Sequence, residues 1–459
     1  MVITKRRLDQ LRDPVERGLT RSLSWRRQQL KRLQNLIESH ETEVLEALAS
    51  DLGKPTTEAF FELVALRLEL KQTGKNLRKW MRPRSISVPL SQQPGQASLV
   101  PEPLGCVLII GPWNLPFALT LRPLISALAA GNTAVLKPSE HAPAIADLIA
   151  RLIPSQFTSD EVTVIQGDGA VAAELVALPF DHIFFTGGGT IGRKVLAGAA
   201  TNLTPVTLEL GGKSPAIVLA GADPVVSARR LIWGKGFNAG QACIAPDHAI
   251  VDPEMRDPLL AAMATERTAM YGEEPLLSGQ LAQIINDRQF NRLEELLDGA
   301  RADGRILLGG EINRSDRRIA PTVIKVDDRH DPLMADELFG PLLPLLSLDS
   351  LDNTLAAIRR EPKPLALYLF GGSKQQQDHV LSTTSSGGVC INDVVMQAGV
   401  PNMPFGGVGA SGMGCYHGKS GFDTFSHYKS VLRRPFRFDF KLRYPPYALD
   451  LNLLRRLAG

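Results

Sequence analysis

Between residues 14 and about 80 the apolar positions recur at helical spacing. Leu23, Leu30, Leu33, Ile37, Val44, Leu45 and Leu48 return every three or four residues, with Arg, Gln and Glu between them. Such a stripe predicts amphipathic helix, and Gly53 is a natural stop. A charged N-terminal stretch leads into this region, and a basic stretch from Lys75 to Arg84 closes it. Residues 86–90 then read as a strand, 92–96 (Gln-Gln-Pro-Gly-Gln) as a turn and 97–100 as a return strand. By itself this hairpin is equally a solvent-exposed ribbon or an assembly element.

From residue 104 the rhythm changes to strand, helix, strand. Apolar runs at 105–110, 133–136, 162–165, 183–185 and 205–208 alternate with helical runs at 117–130, 145–153, 170–177 and from 191. Buried strands alternating with helices predict a parallel, doubly wound sheet. The first four runs end in Gly111-Pro112-Trp113-Asn114, Lys137-Pro138-Ser139-Glu140, Gln166-Gly167-Asp168-Gly169 and Thr186-Gly187-Gly188-Gly189. That is the edge where open α/β sheets bind ligands, and a dinucleotide is the natural one.

A second α/β region begins at Ser214. It has a strand at 216–219, a helix at 225–234, a strand at 249–251 and helices to about 303. The loop 331–341 carries one distinctive acid, Glu337, and one aromatic, Phe339. Residues 404–414 look too glycine-rich for regular structure and suit close backbone approach. The tail, 441–447 and then 449–457, mixes leucines with Arg455 and Arg456. It reads as an amphipathic cap, a membrane-surface contact or a packing tail. No internal repeat is evident.

A length of 459 residues allows two or three domains. Hydrophobic content of 44%, charged content of 22% and a net charge of +3 are ordinary for a globular protein and suggest no nucleic-acid partner. No uncharged run is long enough to span a bilayer, so soluble or membrane-peripheral placement in the cytoplasm is expected. The four cysteines (106, 243, 390 and 415) have neither paired nor metal-ligand spacing. Neither disulfides nor a metal are expected, and the eight histidines read as structural or surface residues.

Two segments can carry chemistry. Glu209 follows an apolar run and precedes Leu210-Gly211-Gly212-Lys213-Ser214-Pro215, while Cys243 ends Asn238-Ala239-Gly240-Gln241-Ala242. A thiol becomes a good nucleophile when a base takes its proton, and a carboxylate can do that and later activate water. Taken singly, Glu209 reads as a cap or ion-pair partner and Cys243 as a small buried hydrophobe.

Together, the Glu-Leu-Gly-Gly-Lys-Ser-Pro and Gly-Gln-x-Cys segments resemble the aldehyde dehydrogenase superfamily. Cys243-Ile244-Ala245-Pro246-Asp247 is similar to its class 3 branch of fatty- and aromatic-aldehyde enzymes. The resemblance runs from Pro101 to His427. It implies a Rossmann-like cofactor domain at 1–84 and 105–208, a catalytic α/β domain at 209–395, and a bridging hairpin and tail at 85–104 and 396–459 that form a homodimer. It implies Cys243 as nucleophile, Glu209 as general base and Asn114 as oxyanion donor. NAD or NADP would lie against Trp113, Lys137, Glu140, Gly187, Gly188, Gly192, Leu210, Glu337 and Phe339, with Glu337 also able to share base duty. In the glycine loop, Gly188-Gly189 stands where the family often has Ser-Thr. Leu115 replaces the tyrosine common in the class 3 Trp-Asn-Tyr-Pro motif. The more aliphatic wall this makes points to a medium- or long-chain aliphatic aldehyde, with aromatic or apocarotenoid-like aldehydes as rivals. A non-catalytic nucleotide binder and a cysteine esterase are the remaining alternatives.

Overall fold

A computed structural model describes residues 5–89, 92–437, 439, 443–447, 450–452 and 455. Part of the proposed amphipathic tail, including Lys441, Leu442 and Arg456, lies outside the described residues, as does Leu90. Four helices open the chain: Lys5–Glu16, Leu23–Ser39, Glu41–Leu52 and Thr56–Trp80. Helix begins at Lys5 rather than residue 14, because Leu8 and Leu11 pack into the core beside Cys106 and Leu108. Gly53 is the expected stop. At φ 56° it donates its N–H to the Ala49 carbonyl, closing the third helix left-handedly.

The first hairpin is displaced from its expected register. Its outgoing strand is Arg84–Ile86, and residues 87–89 continue outside the sheet, where Pro89 has no N–H to donate. The return strand is longer than expected, Gln96–Pro103. It pairs on its other side with Ser426–Arg433 to complete a three-stranded antiparallel sheet.

The five expected parallel strands form one sheet, in the order Val206–Glu209, His182–Thr186, Cys106–Ile110, Thr133–Lys137, Val162–Val164. From Cys106–Ile110 the chain builds outward to Val162–Val164, then returns to the opposite side of its first strand. The topological switch point therefore lies between Ile110 and Thr186, where such sheets bind ligands. A sixth strand corrects the sequence reading. Gly412 and Met413 pair antiparallel with Glu209 and Leu208, so the glycine-rich segment does hold regular structure. Glycine is required there: Gly412 sits at φ 141°, and a Cβ would overlap the Leu208 carbonyl.

After Glu209 the chain turns through Gly211 and Gly212 and enters a second sheet of seven strands. Its order is Ile306–Leu308, Thr322–Lys325, Leu342–Ser347, His248–Val251, Pro215–Val218, Ala366–Phe370, Gly388–Ile391, with only the first strand antiparallel. The six residues from Glu209 to Ser214 thus connect the two sheets, and the candidate site lies at that junction. Tyr416, Phe422 and Phe425, late in the chain, belong to the core under the first sheet.

Candidate active site

Helix Pro224–Gly236 delivers the cysteine loop. Asn238, Ala239 and Gly240 follow in succession at φ 50°, 52° and 71°. Left-handed backbone is costly for the two residues that carry a Cβ, so the turn needs outside support. Asn238 Nδ2 donates to the carbonyls of Asn114 and Gln241, both at 3.0 Å. Asn114 Nδ2 donates to the same Gln241 carbonyl at 3.0 Å. Gln241 in turn donates to the Asn238 and Gln283 carbonyls and accepts the Ile285 N–H. Beyond the cysteine, the Tyr368 hydroxyl donates to the Ile244 carbonyl. The loop is therefore held on both sides of Cys243, with Asn114 bonded into it.

Cys243 is part-buried and unpaired. Burial first, then Glu337 and Glu209, push its thiol well above the usual range, while the N–H groups of Cys243 and Ile244 pull it down. Both carboxylate oxygens of Glu209 are buried without a hydrogen-bond partner among the described residues. Burial raises its pKa well above the ordinary carboxylate value. Glu337 is pushed up to about 8 by burial and then by Asp247, against a lowering hydrogen bond from the Gly212 backbone. Its carboxylate lies over Gly211, where any Cβ would collide with it. One thiol and two carboxylates raised by burial thus act on one another electrostatically.

The other expected residues lie along the sheet's carboxyl edge. Trp113 meets Phe339 edge-on, with ring centroids 5.2 Å apart and an interplanar angle of 82°. Lys137, buried at the end of its strand, pairs with Glu140 at 2.5 Å. Burial raises the Glu140 carboxyl, but the Lys137 hydrogen bond, a backbone hydrogen bond and the nearby positive charges together outweigh it, and the net shift is downward. Gly187 donates its N–H to the Glu209 carbonyl at 3.0 Å. Gly188 precedes helix Gly189–Ala200 as an N-cap with no side-chain acceptor, and space above it is open. Gly192 is buried against Leu210, whose methyl groups take the place a Cβ would need. This edge suits a dinucleotide: open backbone donors at a helix start for pyrophosphate, an acid–base pair for a ribose, and aromatics for a nicotinamide ring.

The family model described as "Aldehyde dehydrogenase family" matches residues 19–431. The chain belongs to the aldehyde dehydrogenase family. It is 43% identical over 452 residues to aldehyde dehydrogenase family 3 member H1 of Arabidopsis thaliana, covering 98% of this chain and 93% of that one. It is 42% identical over 429 residues to 4,4'-diaponeurosporen-aldehyde dehydrogenase of Staphylococcus aureus, covering 93% of each. The solved structure described as the substrate-bound state of Staphylococcus aureus AldH superposes with a TM-score of 0.96 at 39% identity and full coverage of both chains. The enzyme is thus a class 3-like aldehyde dehydrogenase with that family's fold, an oxidoreductase that uses NAD or NADP.

Some of this enzyme's organising residues carry no role in the sequence reading although they stand inside its motifs. Lys213 pairs with Asp247, and its ammonium also donates to the Leu333 and Asp336 carbonyls at 2.9 and 3.0 Å. Asp247 accepts the Leu338 N–H at 2.8 Å. One ion pair therefore ties together the glutamate motif, the cysteine motif and the Glu337 loop. Asn238 is another such residue. Cys106 is wholly buried, with burial pushing its thiol up to about 12, and His182 is buried against Thr207. Among the described residues no group of three His, Cys, Asp or Glu side chains is placed to hold a metal ion, and no helix is long and apolar enough to cross a membrane.

Proposed function

We propose that the enzyme oxidises a medium- or long-chain aliphatic aldehyde to its carboxylic acid through a thioester on Cys243. The observation that carries this reading is the unpartnered buried carboxylate of Glu209, close enough to Cys243 to raise the pKa of its thiol. Glu209 takes the thiol proton, and the thiolate adds to the aldehyde carbon to give a thiohemiacetal. The resulting oxyanion is held by Asn114 Nδ2, which has a second hydrogen beyond the one given to Gln241, and by the Cys243 N–H. Bound NAD or NADP supplies the hydride acceptor that turns the thiohemiacetal into a thioester. Lys137, Glu140, the Gly187–Gly192 loop, Leu210, Trp113, Glu337 and Phe339 would hold that cofactor. Glu209 releases the thiol's proton to solvent and then removes one from water, which adds to the thioester; the acid leaves as Glu209 returns that proton to the departing sulfur. A base with nothing else to bind favours hydrolysis over transfer of the acyl group to a second thiol.

Chain length is read from the apolar wall. Phe237, Ala242 and Ala245 pack with Leu115 and Trp233, and the half-exposed Phe61 ring reaches Phe237 at 6.3 Å. The aromatic members also suit a conjugated chain, and the Staphylococcus aureus relative favours that second reading. Steady-state rates over a series of saturated and polyene aldehydes decide between them, and a preference for short aldehydes refutes both. Loss of nucleotide reduction in Cys243→Ala and its survival in Cys106→Ala tests the nucleophile; retention in Cys243→Ala refutes it. We read the chain as a homodimer in which the three-stranded sheet bridges the protomers. Its strands Arg84–Ile86 and Ser426–Arg433 are edges without a further neighbour among the described residues. Sedimentation showing a monomer at micromolar concentration refutes that assignment.

A further inference from the structure

Helix Thr56–Trp80 contributes no strand-end residue and none of the motif positions, yet its acids are not on its solvent face. Glu62 and Glu69 are buried, Glu58 is part-buried, and each reaches a different wall of the site. Glu58 Oε2 accepts the Asn238 N–H at 2.9 Å. Glu62 Oε2 accepts the N–H groups of Phe117 and Ala118 at 3.1 and 2.9 Å, while its other oxygen pairs with the buried Lys54 at 2.5 Å. Glu69 Oε1 accepts the Gly418 N–H at 2.7 Å, and Arg122 lies 3.5 Å from its other oxygen. At 100° per residue these three acids fall within about 40° of one another, along about 16 Å of helix.

The three targets share one property: each is a helix start or turn beside a residue of the site. Phe117 and Ala118 open the helix that follows Asn114, and Asn238 opens the left-handed turn before Cys243. Gly418 follows Tyr416 and His417, and both Glu209 and Cys243 act electrostatically on Tyr416. The geometry points to helix Thr56–Trp80 as a ruler for the active site, with Glu58 a positioning residue for the nucleophile loop. Glu62 and Glu69 have cationic partners, whereas Glu58 makes no ion pair among the described residues; its direct contact is the Asn238 N–H. A part-buried acceptor with that single use is best explained by the turn it supports. Asn238 and Ala239 keep left-handed backbone only while surrounding contacts over-determine it. An N–H bonded to a carboxylate is among the stronger contacts available to do so.

This inference rests on the reading of Cys243 as nucleophile, and its test keeps the two apart. Alkylation of Cys243 by iodoacetamide, read on its own peptide by mass spectrometry because Cys390 and Cys415 are also free and part-buried, and single-turnover nucleotide reduction with saturating hexanal are measured on the full chain, alongside thermal unfolding. Glu58→Ala is expected to slow both reactions about 10- to 100-fold, the equivalent of one hydrogen bond to a charged group. Glu58→Gln keeps an acceptor at the same reach and is expected to recover most of that loss. Glu58→Asp keeps the charge but falls short of the Asn238 N–H, so it should be slow although folded, and it replaces the alanine variant should that one fail to fold. Wild-type rates in Glu58→Asp or Glu58→Ala, or a glutamine variant no faster than the alanine one, overturn the inference. Loss of nucleotide reduction in Cys243→Ala upholds the nucleophile reading independently, and its retention there overturns both.

Discussion

Truncating Asn114 to alanine separates catalysis from stability, because the structure predicts very different costs for the two. In the folded protein Asn114 Nδ2 makes one hydrogen bond, to the Gln241 carbonyl. That carbonyl also accepts Asn238 Nδ2 at 3.0 Å, so truncation leaves no buried acceptor orphaned. The Asn114 carbonyl and its bond from Asn238 are backbone features and survive. The cost to folding is therefore that of one satisfied hydrogen bond, about 1 kcal/mol. The cost to the reaction is the loss of an oxyanion donor, about 3 kcal/mol or roughly 100-fold in the rate of forming the thioester. Rapid-mixing measurements of the nucleotide-reduction burst, with the urea midpoint of the same preparation, read the two costs separately. Asn114→Asp, similar in shape, should be slower still, since an anion replaces the donors. A burst of wild-type rate, or a rate loss no larger than the unfolded fraction explains, refutes the assignment of Asn114 as oxyanion donor.

Glu209→Gln should slow the burst as well as steady-state turnover, the latter about 10²- to 10⁴-fold, the usual contribution of a general base; an unchanged steady state with saturating substrate counts against Glu209 as the base. Glu58 gives a pH-dependent test. Burial first raises it from 4.5 to about 7, with the Asn238 hydrogen bond and Lys54 opposing. A pKa raised on folding stabilises at low pH, and that stability is lost as pH rises through the folded value. Glu58→Gln should thus match wild type in urea at about pH 4 and exceed it by up to about 3 kcal/mol at about pH 8; a gain that does not grow over that window contradicts the burial. Glu140→Gln frees the Lys137 ammonium from its partner. The ratio of kcat/KM for NADP over NAD should rise about tenfold, as expected for a freed cation meeting a 2′-phosphate; a fall in that ratio contradicts the placement of the ribose.

Legibility in the sequence followed physical range. The five parallel strands were readable because a strand buried on both faces is written as an unbroken apolar run, and Gly53 because a left-handed cap favours glycine. The Gly412–Met413 strand was not. Two residues carry no period, and what makes them a strand is an open edge beside Leu208, more than 200 positions away. Glu58, Glu62 and Glu69 read as the polar face of an amphipathic helix, since composition does not distinguish a carboxylate facing water from one facing backbone N–H groups. The two catalytic motifs announced themselves through local residue strings. The bond from Asn114 to Gln241 and the pair Lys213–Asp247 exist only once both sheets are folded together.

The antiparallel strand beside Glu209 also bears on how the enzyme is made. Residues 412–413 close the outer side of the Glu209 strand, and Tyr416, Phe422 and Phe425 fill the core beneath it. All of them leave the ribosome after both the base and the thiol. A nascent chain can build the second sheet and present its cysteine well before the carboxylate's pocket is closed. Joining such distant segments is the slow, entropically costly part of folding. Competence therefore arrives late and all at once, and a chain interrupted before residue 412 is left with an incomplete pocket around its base.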